Sequence, residues 1–463
     1  MQNNQLSMFE SESLGRLMLK FSLPAIISMV VNSIYNIVDQ VFIGWGVNYM
    51  GNAATNVTFP LVTTSMAVST MIADGCVAYF SLKLGERQHQ LAARTMGNGS
   101  ALALAAGLVM TLLGELFLLP IVRLCGGTEA VLPYAMEYGR ITMLGVPFVC
   151  LSMTVSSLIR AEGNPRYAMI CMLSGCITNV ALDALFVLGF GWGMAGAAWA
   201  TVIGQALNMI LALAYIPRFQ NVRFERRNLR FEGAVLKGFL PLGISSFFTQ
   251  AASTVVIICM NRLLVKYGGE SIYGADIPLA AFGIVMKVNS IIGSVMVGLG
   301  IGSQPIVGYN YGAKKFARVK TVYLRTIAVG SLVSVCGWLC FQLCPQVIVS
   351  AFGQESALYN QFAVKCFREF LSVCFLLGFI IPTGIFFQSI GRPVKAIISN
   401  MTRQILFFIP NMFLFSHFFG IQGLLYAGPV SDCMAALVVF ALLCQELRRM
   451  NRMIREQPVA ANS

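Results

Sequence analysis

Charge is scarce in this chain: only 11% of its residues are Asp, Glu, Lys or Arg, against about a quarter in a soluble globular domain. Long polar stretches are missing as well, so no sizeable water-soluble domain fits between the apolar runs. Histidine is limited to His89 and His417, and neither belongs to an HExxH pair. A GxxxxGK[ST] phosphate loop is also absent, which argues against ATP-driven work within the chain. No cofactor is expected, and no enzymatic activity. The 13 cysteines lie mostly inside apolar runs, at spacings such as Cys336, Cys340 and Cys344 that place them on one helix face as small hydrophobes. Neither a disulfide framework nor a cysteine metal centre is expected. The first fourteen residues lack the basic and then apolar pattern of a cleaved signal, so the N-terminus is expected to be retained.

What remains is hydrophobic: 57% of residues are apolar and the mean hydropathy is +0.73. A membrane-spanning helix needs about 20 apolar residues, and windows of that kind recur six times between 17 and 217 and six times between 237 and 446. Twelve spans are expected. Lys and Arg collect on the cytoplasmic side of membrane proteins, and they test this count. Arg16, Lys83, Arg87, Arg160, the run from Arg218 to Lys237 and the run from Arg448 to Arg455 fall in connections that share one side, as does Arg403. The other side offers little beyond Arg123 and Lys266. A multi-pass protein of the cell (inner) membrane with both termini cytoplasmic follows. The net charge of +13 then reads as topology and attraction to anionic lipid, and no nucleic-acid partner is expected.

The two halves echo each other at an offset of about 227 residues, the kind of internal repeat that fixes architecture before function. Gly163-Asn164-Pro165 answers Gly391-Arg392-Pro393, Gly193 and Gly196 answer Gly420 and Gly423, and Gly85 before a basic stretch answers Gly312 before another. Six spans per copy is an even number, so both copies share orientation. The fold class expected is an all-α polytopic membrane protein, its twelve helices forming two pseudo-symmetric six-helix lobes around a central cavity that opens alternately to either side. The lobes are 1–217 and 237–446, joined by a basic linker, 218–236, and followed by a basic tail, 447–463.

Three polar stripes mark the first lobe. In span 1, Asn32, Tyr35, Asn36 and Asp39 share one helix face, recurring at i, i+3, i+4 and i+7. In span 5 the face is Asn179 and Asp183; in span 6 it is Thr201, Gln205 and Asn208. Counting from the outer helix ends, Asp39, Asp183 and Thr201 lie roughly 9 to 12 Å deep at 1.5 Å per residue, so they can meet in one pocket. Intramembrane Thr, Gln and Asn often do no more than join helices, and that reading stands beside the functional one for Thr201, Gln205 and Asn208. Two acids at equal depth are different, because like charges in a poorly solvated site disfavour simultaneous ionisation. Such a pair can take up and release a proton, or hold Na+ among several oxygens.

Comparison of the halves locates this chemistry. The repeat places Asn411 opposite Asp183 and Val256 opposite Asp39, so the second lobe keeps a polar echo without an acid. Asp432 and Lys287 both fall near mid-membrane and are expected to neutralise each other or to face the substrate cavity. Pro24 near the start of span 1 is a candidate hinge.

The motifs FSLP at the start of span 1, DQVFIG around Asp39, LIRAEGNPRYAM, and TNVALDALFVLGFGWGMAGAAWATVIGQ resemble the MATE family of multidrug and toxic compound extrusion transporters. The resemblance covers nearly the whole chain. It implies antiport, in which a proton or Na+ moving inward drives export of cationic amphipathic drugs, with antibiotic resistance as the consequence. It also implies that Asp39, Asn179, Asp183 and Thr201 form the cation-coupling network of the DinF-like branch. The NorM-like branch adds acids in spans 7 and 10; this chain offers Gln250 in the first and no acid between Phe370 and Gln388 in the second.

The function expected is therefore a cation-coupled exporter, acting on small drug-like molecules from within the bilayer as a monomer. Asn32, Tyr35, Asn36, Gln205, Asn208, Asp432 and Lys287 are the substrate-cavity candidates. A related flippase for a lipid-linked saccharide is the alternative, for which only Lys287 and Arg262 could meet a pyrophosphate; an intramembrane prenyl transferase would need Asp-rich pairs that the chain lacks.

Overall fold

Each apolar window folds as helix, because within a bilayer an isolated stretch can satisfy its backbone only through bonds inside the segment. The computed structural model describes residues 8–10, 12–47, 49–125, 128–274, 276–350 and 357–456; the last residues of the expected basic tail, 457–463, lie outside them. All regular elements among the described residues are helical. The first half contributes α1 (Leu14–Val47), α2 (Tyr49–Gly85), α3 (His89–Leu124), α4 (Leu132–Glu162), α5 (Pro165–Asp183, prolonged by a π-helical turn, Ala184–Gly189) and α6 (Gly193–Tyr215). The second half contributes α7 (Gly233–Gly269), α8 (Asp276–Gly312), α9 (Phe316–Leu343), the short α10 (Pro345–Ser350), α11 (Ala357–Phe370), α12 (Leu377–Ser389), α13 (Pro393–Met401) and α14 (Ile409–Arg455).

Among the described residues, 10 helices are long and apolar enough to cross a membrane, and α11 with α12 forms an eleventh span bent by 47°. The expected twelfth is hidden by continuity. The run Pro393–Arg455 is 63 residues long, enough for two crossings at about 20 or more residues each, and it breaks at Gly420, whose φ of 59° and ψ of −136° are not helical. Asn411 Nδ2 donates to Ser431 Oγ at 3.0 Å across that break, so the two arms of α14 lie side by side.

The repeat is visible in the backbone. Gly163 (φ 124°) and Gly391 (φ 71°) end helices ahead of a proline, and Gly193 (φ 56°) and Gly420 (φ 59°) reverse the chain at matching points. Arg87 (φ 60°) and Lys314 (φ 59°) adopt the left-handed conformation as the paired non-glycine examples, directly after the ends of α2 and α8, where a helix commonly terminates in that conformation.

The lobes touch through α1 against α8 and α2 against α7 and α8. The contacts concentrate near the end that carries the basic connections. A Cβ on Gly298 or Gly302 would meet α1 at Ile26 or Ser22, and one on Gly243 would meet the α2 backbone at Met71. Nearer the opposite end, Gly283 and Gly293 on α8 and Gly269 on α7 have nothing within 4 Å of that position. The lobes are thus packed main chain to main chain at the basic end.

Candidate functional site

The three polar stripes of the first lobe converge. Asp39 on α1 and Asp183 at the last turn of α5 are buried at 7% and 0% exposure, and their carboxyl groups are in hydrogen-bond contact. Asp39 Oδ1 and Asp183 Oδ1 are buried without any conventional donor among the described residues. Two carboxyl groups in such contact require a proton or a cation between them. Asn179 stands one turn before Asp183 on α5, and its amide is assigned with nitrogen toward the acid because that orientation satisfies both ends. It then donates to Asp183 Oδ2 at 3.1 Å and accepts from Thr201 N at 3.1 Å and Thr201 Oγ1 at 3.2 Å. Thr201 also lies 3.0 Å from Ala197 O, which ties the network to α6.

The site sits where it does because the helices approach closely below it. Gly175 of α5 and Gly204 of α6 face each other, each within reach of the other's carbonyl, and this small-residue crossing sets Asn179 opposite Thr201. The π-helical turn begins at Ala184, immediately after Asp183; the extra residue in such a turn is a frequent mark of functional sites.

Other candidates take different places. Tyr35 is close enough to feel the charge of both acids, so it belongs with the pair. Asn36 is exposed and donates back to Asn32 O of its own helix at 2.6 Å. Gln205 packs against Gly145 of α4 and Asn208 against Gly175 of α5, with Gln205 Oε1 and Asn208 Oδ1 buried and without a partner among the described residues. Pro24 is buried within the continuous α1, its carbonyl accepting from Ser28 Oγ at 2.8 Å.

The expected pairing of Asp432 with Lys287 is overturned. Asp432 accepts instead from Arg403 Nε at 2.7 Å, an arginine assigned from sequence to a basic connection but lying inside the helical run before α14. Fold-back of the chain at Gly420 brings the two together, a proximity that helix counting cannot see. Lys287 is exposed on α8 and forms no ion pair among the described residues.

Two groups escaped sequence reasoning. Tyr138 of α4 is buried within electrostatic reach of Asp39, Tyr35 and Asp183; a tyrosine near a span end reads from sequence as an interfacial belt residue. Asp74 on α2 accepts from Ser246 Oγ of α7 at 2.6 Å. An acid that far inside an apolar window carried the same signal as Asp39 and was legible.

The MatE family model matches residues 24–185 and again 241–413, once within each lobe. The chain belongs to the MatE family. It is 26% identical over 453 residues to the multidrug export protein MepA of Staphylococcus haemolyticus (strain JCSC1435), covering 96% of this chain and 97% of that one. A solved structure of the MATE multidrug transporter DinF-BH, a complex with a bound ligand, superposes with a TM-score of 0.86 at 30% identity, covering 96% and 98% of the two chains. An outward-facing structure of a multidrug resistance MATE family transporter superposes at 0.89 over 98% and 99%, at 20% identity, and so shares the fold. The family model matches once in each half of the chain, and the relatives are named as multidrug transporters.

Proposed function

We propose that this chain is a multidrug exporter and not an enzyme, with the basic end of the helices cytoplasmic and the lobes divided as 1–217 and 237–446 by the linker 218–236. Export is coupled to inward movement of a proton or Na+ at Asp39 and Asp183, supported by Asn179 and Thr201. The observation that carries this reading is the buried contact between the two carboxyl groups. In the outward-open arrangement a cation from outside enters between them. Neutralising the pair removes the reason for α1 and α5 to hold their present separation, and Pro24, which lacks the amide hydrogen for an internal helix bond, gives α1 a place to bend. Each unit charge moved inward down 100 mV contributes about 2.3 kcal/mol, enough to shift a two-state equilibrium roughly fiftyfold.

Substrates are small amphipathic cations; MepA and DinF-BH, to which the chain is similar, are named as a multidrug export protein and a multidrug transporter. The buried acids Asp39 and Asp183 of the first lobe fit that class better than a diphosphate. The test is ethidium efflux from proteoliposomes with pH and Na+ gradients imposed separately. One gradient should drive efflux in the native protein, and Asp39→Asn or Asp183→Asn should reduce gradient-driven efflux at least about tenfold. Efflux that ignores both gradients, or that persists undiminished in both variants, overturns the proposal.

A further inference from the structure

Asp74 lies 11 residues from the end of α2 at Gly85, about 16 Å along the helix axis, and so inside the membrane-spanning part of the basic half. An ionisable group at that depth is a functional candidate by default, and its partners define the role. Those partners belong to the other lobe. Ser246 Oγ of α7 donates to Asp74 Oδ2 at 2.6 Å. Gln388, buried on α12, donates to Leu242 O at 2.8 Å and lies 3.4 Å from Ser246 Oγ. The compensating positive charge comes from Arg160 of α4, whose Nη2 donates to Ser157 Oγ at 2.8 Å and whose Nε is buried without an acceptor among the described residues. Among the described residues, Asp74 is the one carboxylate within the spanning helices that is hydrogen-bonded across the two lobes.

The backbone around it is equally specific to the closed arrangement. A Cβ on Gly75 would meet Phe239 O, and one on Gly243 would meet Met71 O, so α2 and α7 touch main chain to main chain on either side of the carboxylate. Opening the basic end must pull Ser246 away from Asp74 and leave this half-buried carboxylate without its donor from the other lobe. We propose that Asp74, Ser246 and Gln388, with Arg160 as counter-charge, form the latch that closes the cytoplasmic side of the transport pathway. On this reading Asp74 positions the lobes and does not carry the coupling cation. The proposal rests on the alternating-access reading above but not on which residues couple.

Hydrogen exchange of the full-length protein in nanodiscs, without drug or ion gradient, tests it. Asp74→Ala and Ser246→Ala should accelerate exchange about tenfold in segments 68–85 and 238–246, the factor set by losing a hydrogen bond to a charged acceptor. Asp74→Asn, which keeps an acceptor but loses the charge, should fall between. The outer segments 33–47 and 276–290 should become more protected as the population moves inward-open. Unchanged exchange in both alanine variants, or acceleration spread evenly over all helices as simple loss of packing would give, overturns the latch. Because the readout needs no transport, it stands or falls separately from the efflux experiment.

Discussion

At Asp39 and Asp183 the problem of placing acids in a membrane is halved by contact. One carboxylate near the bilayer centre costs about 2.5 to 3.5 kcal/mol on insertion scales, whereas a pair sharing a proton carries one charge instead of two. Asn179 then supplies the donor that the remaining charge needs, and Thr201 orients Asn179 through its backbone amide and hydroxyl. In the second lobe Asn411, bonded to Ser431, occupies the place of the acid and has nothing to protonate. Asn179→Ala is therefore expected to weaken cation-driven efflux about tenfold, as loss of a hydrogen bond to a charged group would. Asn411→Ala should leave the cation dependence of transport intact, and measuring efflux against imposed gradients in the two variants checks the asymmetry. Spacing along single helices sufficed to nominate Asp39, Asn179, Asp183 and Thr201. It failed for Asp432, whose partner Arg403 arrives only when the chain folds back at Gly420, and for Tyr138, which reaches the acids from a third helix.

Among the elements, α8 shows how one helix serves both closure and opening. Its half near the basic end presents Gly298, Gly302, Gly308 and Gly312 to α1 and α2, while Gly283 and Gly293 face open space. Small residues at the contact let backbones approach where no hydrophobic drive separates helix from lipid. The opposing element α7 repeats the arrangement with Gly243 against Met71. Gly243→Val places side-chain carbon against main chain and is expected to prevent closure of the basic end and abolish efflux. Gly283→Ala meets nothing and removes a glycine from a helix interior, so it should leave efflux unchanged and raise stability by about 0.5 to 1 kcal/mol. Efflux assays with thermal unfolding of both variants separate the two outcomes. The bend between α11 and α12 and the fold-back at Gly420 are the places where helix boundaries departed from window counting: in one case a span breaks, in the other two spans stay hydrogen-bonded almost continuously.

Across the whole molecule, the lobes are fastened at the basic end by a segment that precedes α1. Phe9 is fully buried between Phe21 of α1 and Tyr309 of α8, and Glu10 accepts from Lys315 Nζ and Tyr309 Oη, each at 2.8 Å. Arg318 adds bonds to Phe9 O and Glu12 O at 3.0 Å. The Lys315 bond holds the Glu10 carboxyl below its ordinary value, with Tyr309 contributing, against the opposing effect of partial burial. A depressed carboxylate stabilises its docked state fully above the ordinary carboxylate range and loses that contribution as pH falls through the lowered value. Docking of residues 8–10 should thus persist from neutral pH down into the carboxylate range and release only at more acidic pH. Glu10→Gln should remove that dependence. Hydrogen exchange over residues 8–14, corrected for the intrinsic pH dependence of amide exchange, measures both. The sequence by itself determined what is repeated or periodic: the membrane setting from scarce charge, the two copies from paired glycines, and the shared depth of Asp39 and Asp183 from helical spacing, because these follow from distances along the chain. Only the tertiary structure decided which half of each helix touches its partner lobe, that Asp432 answers Arg403, and that Asp74 reaches across to Ser246, because those contacts join residues whose separation in sequence carries no information about their separation in space.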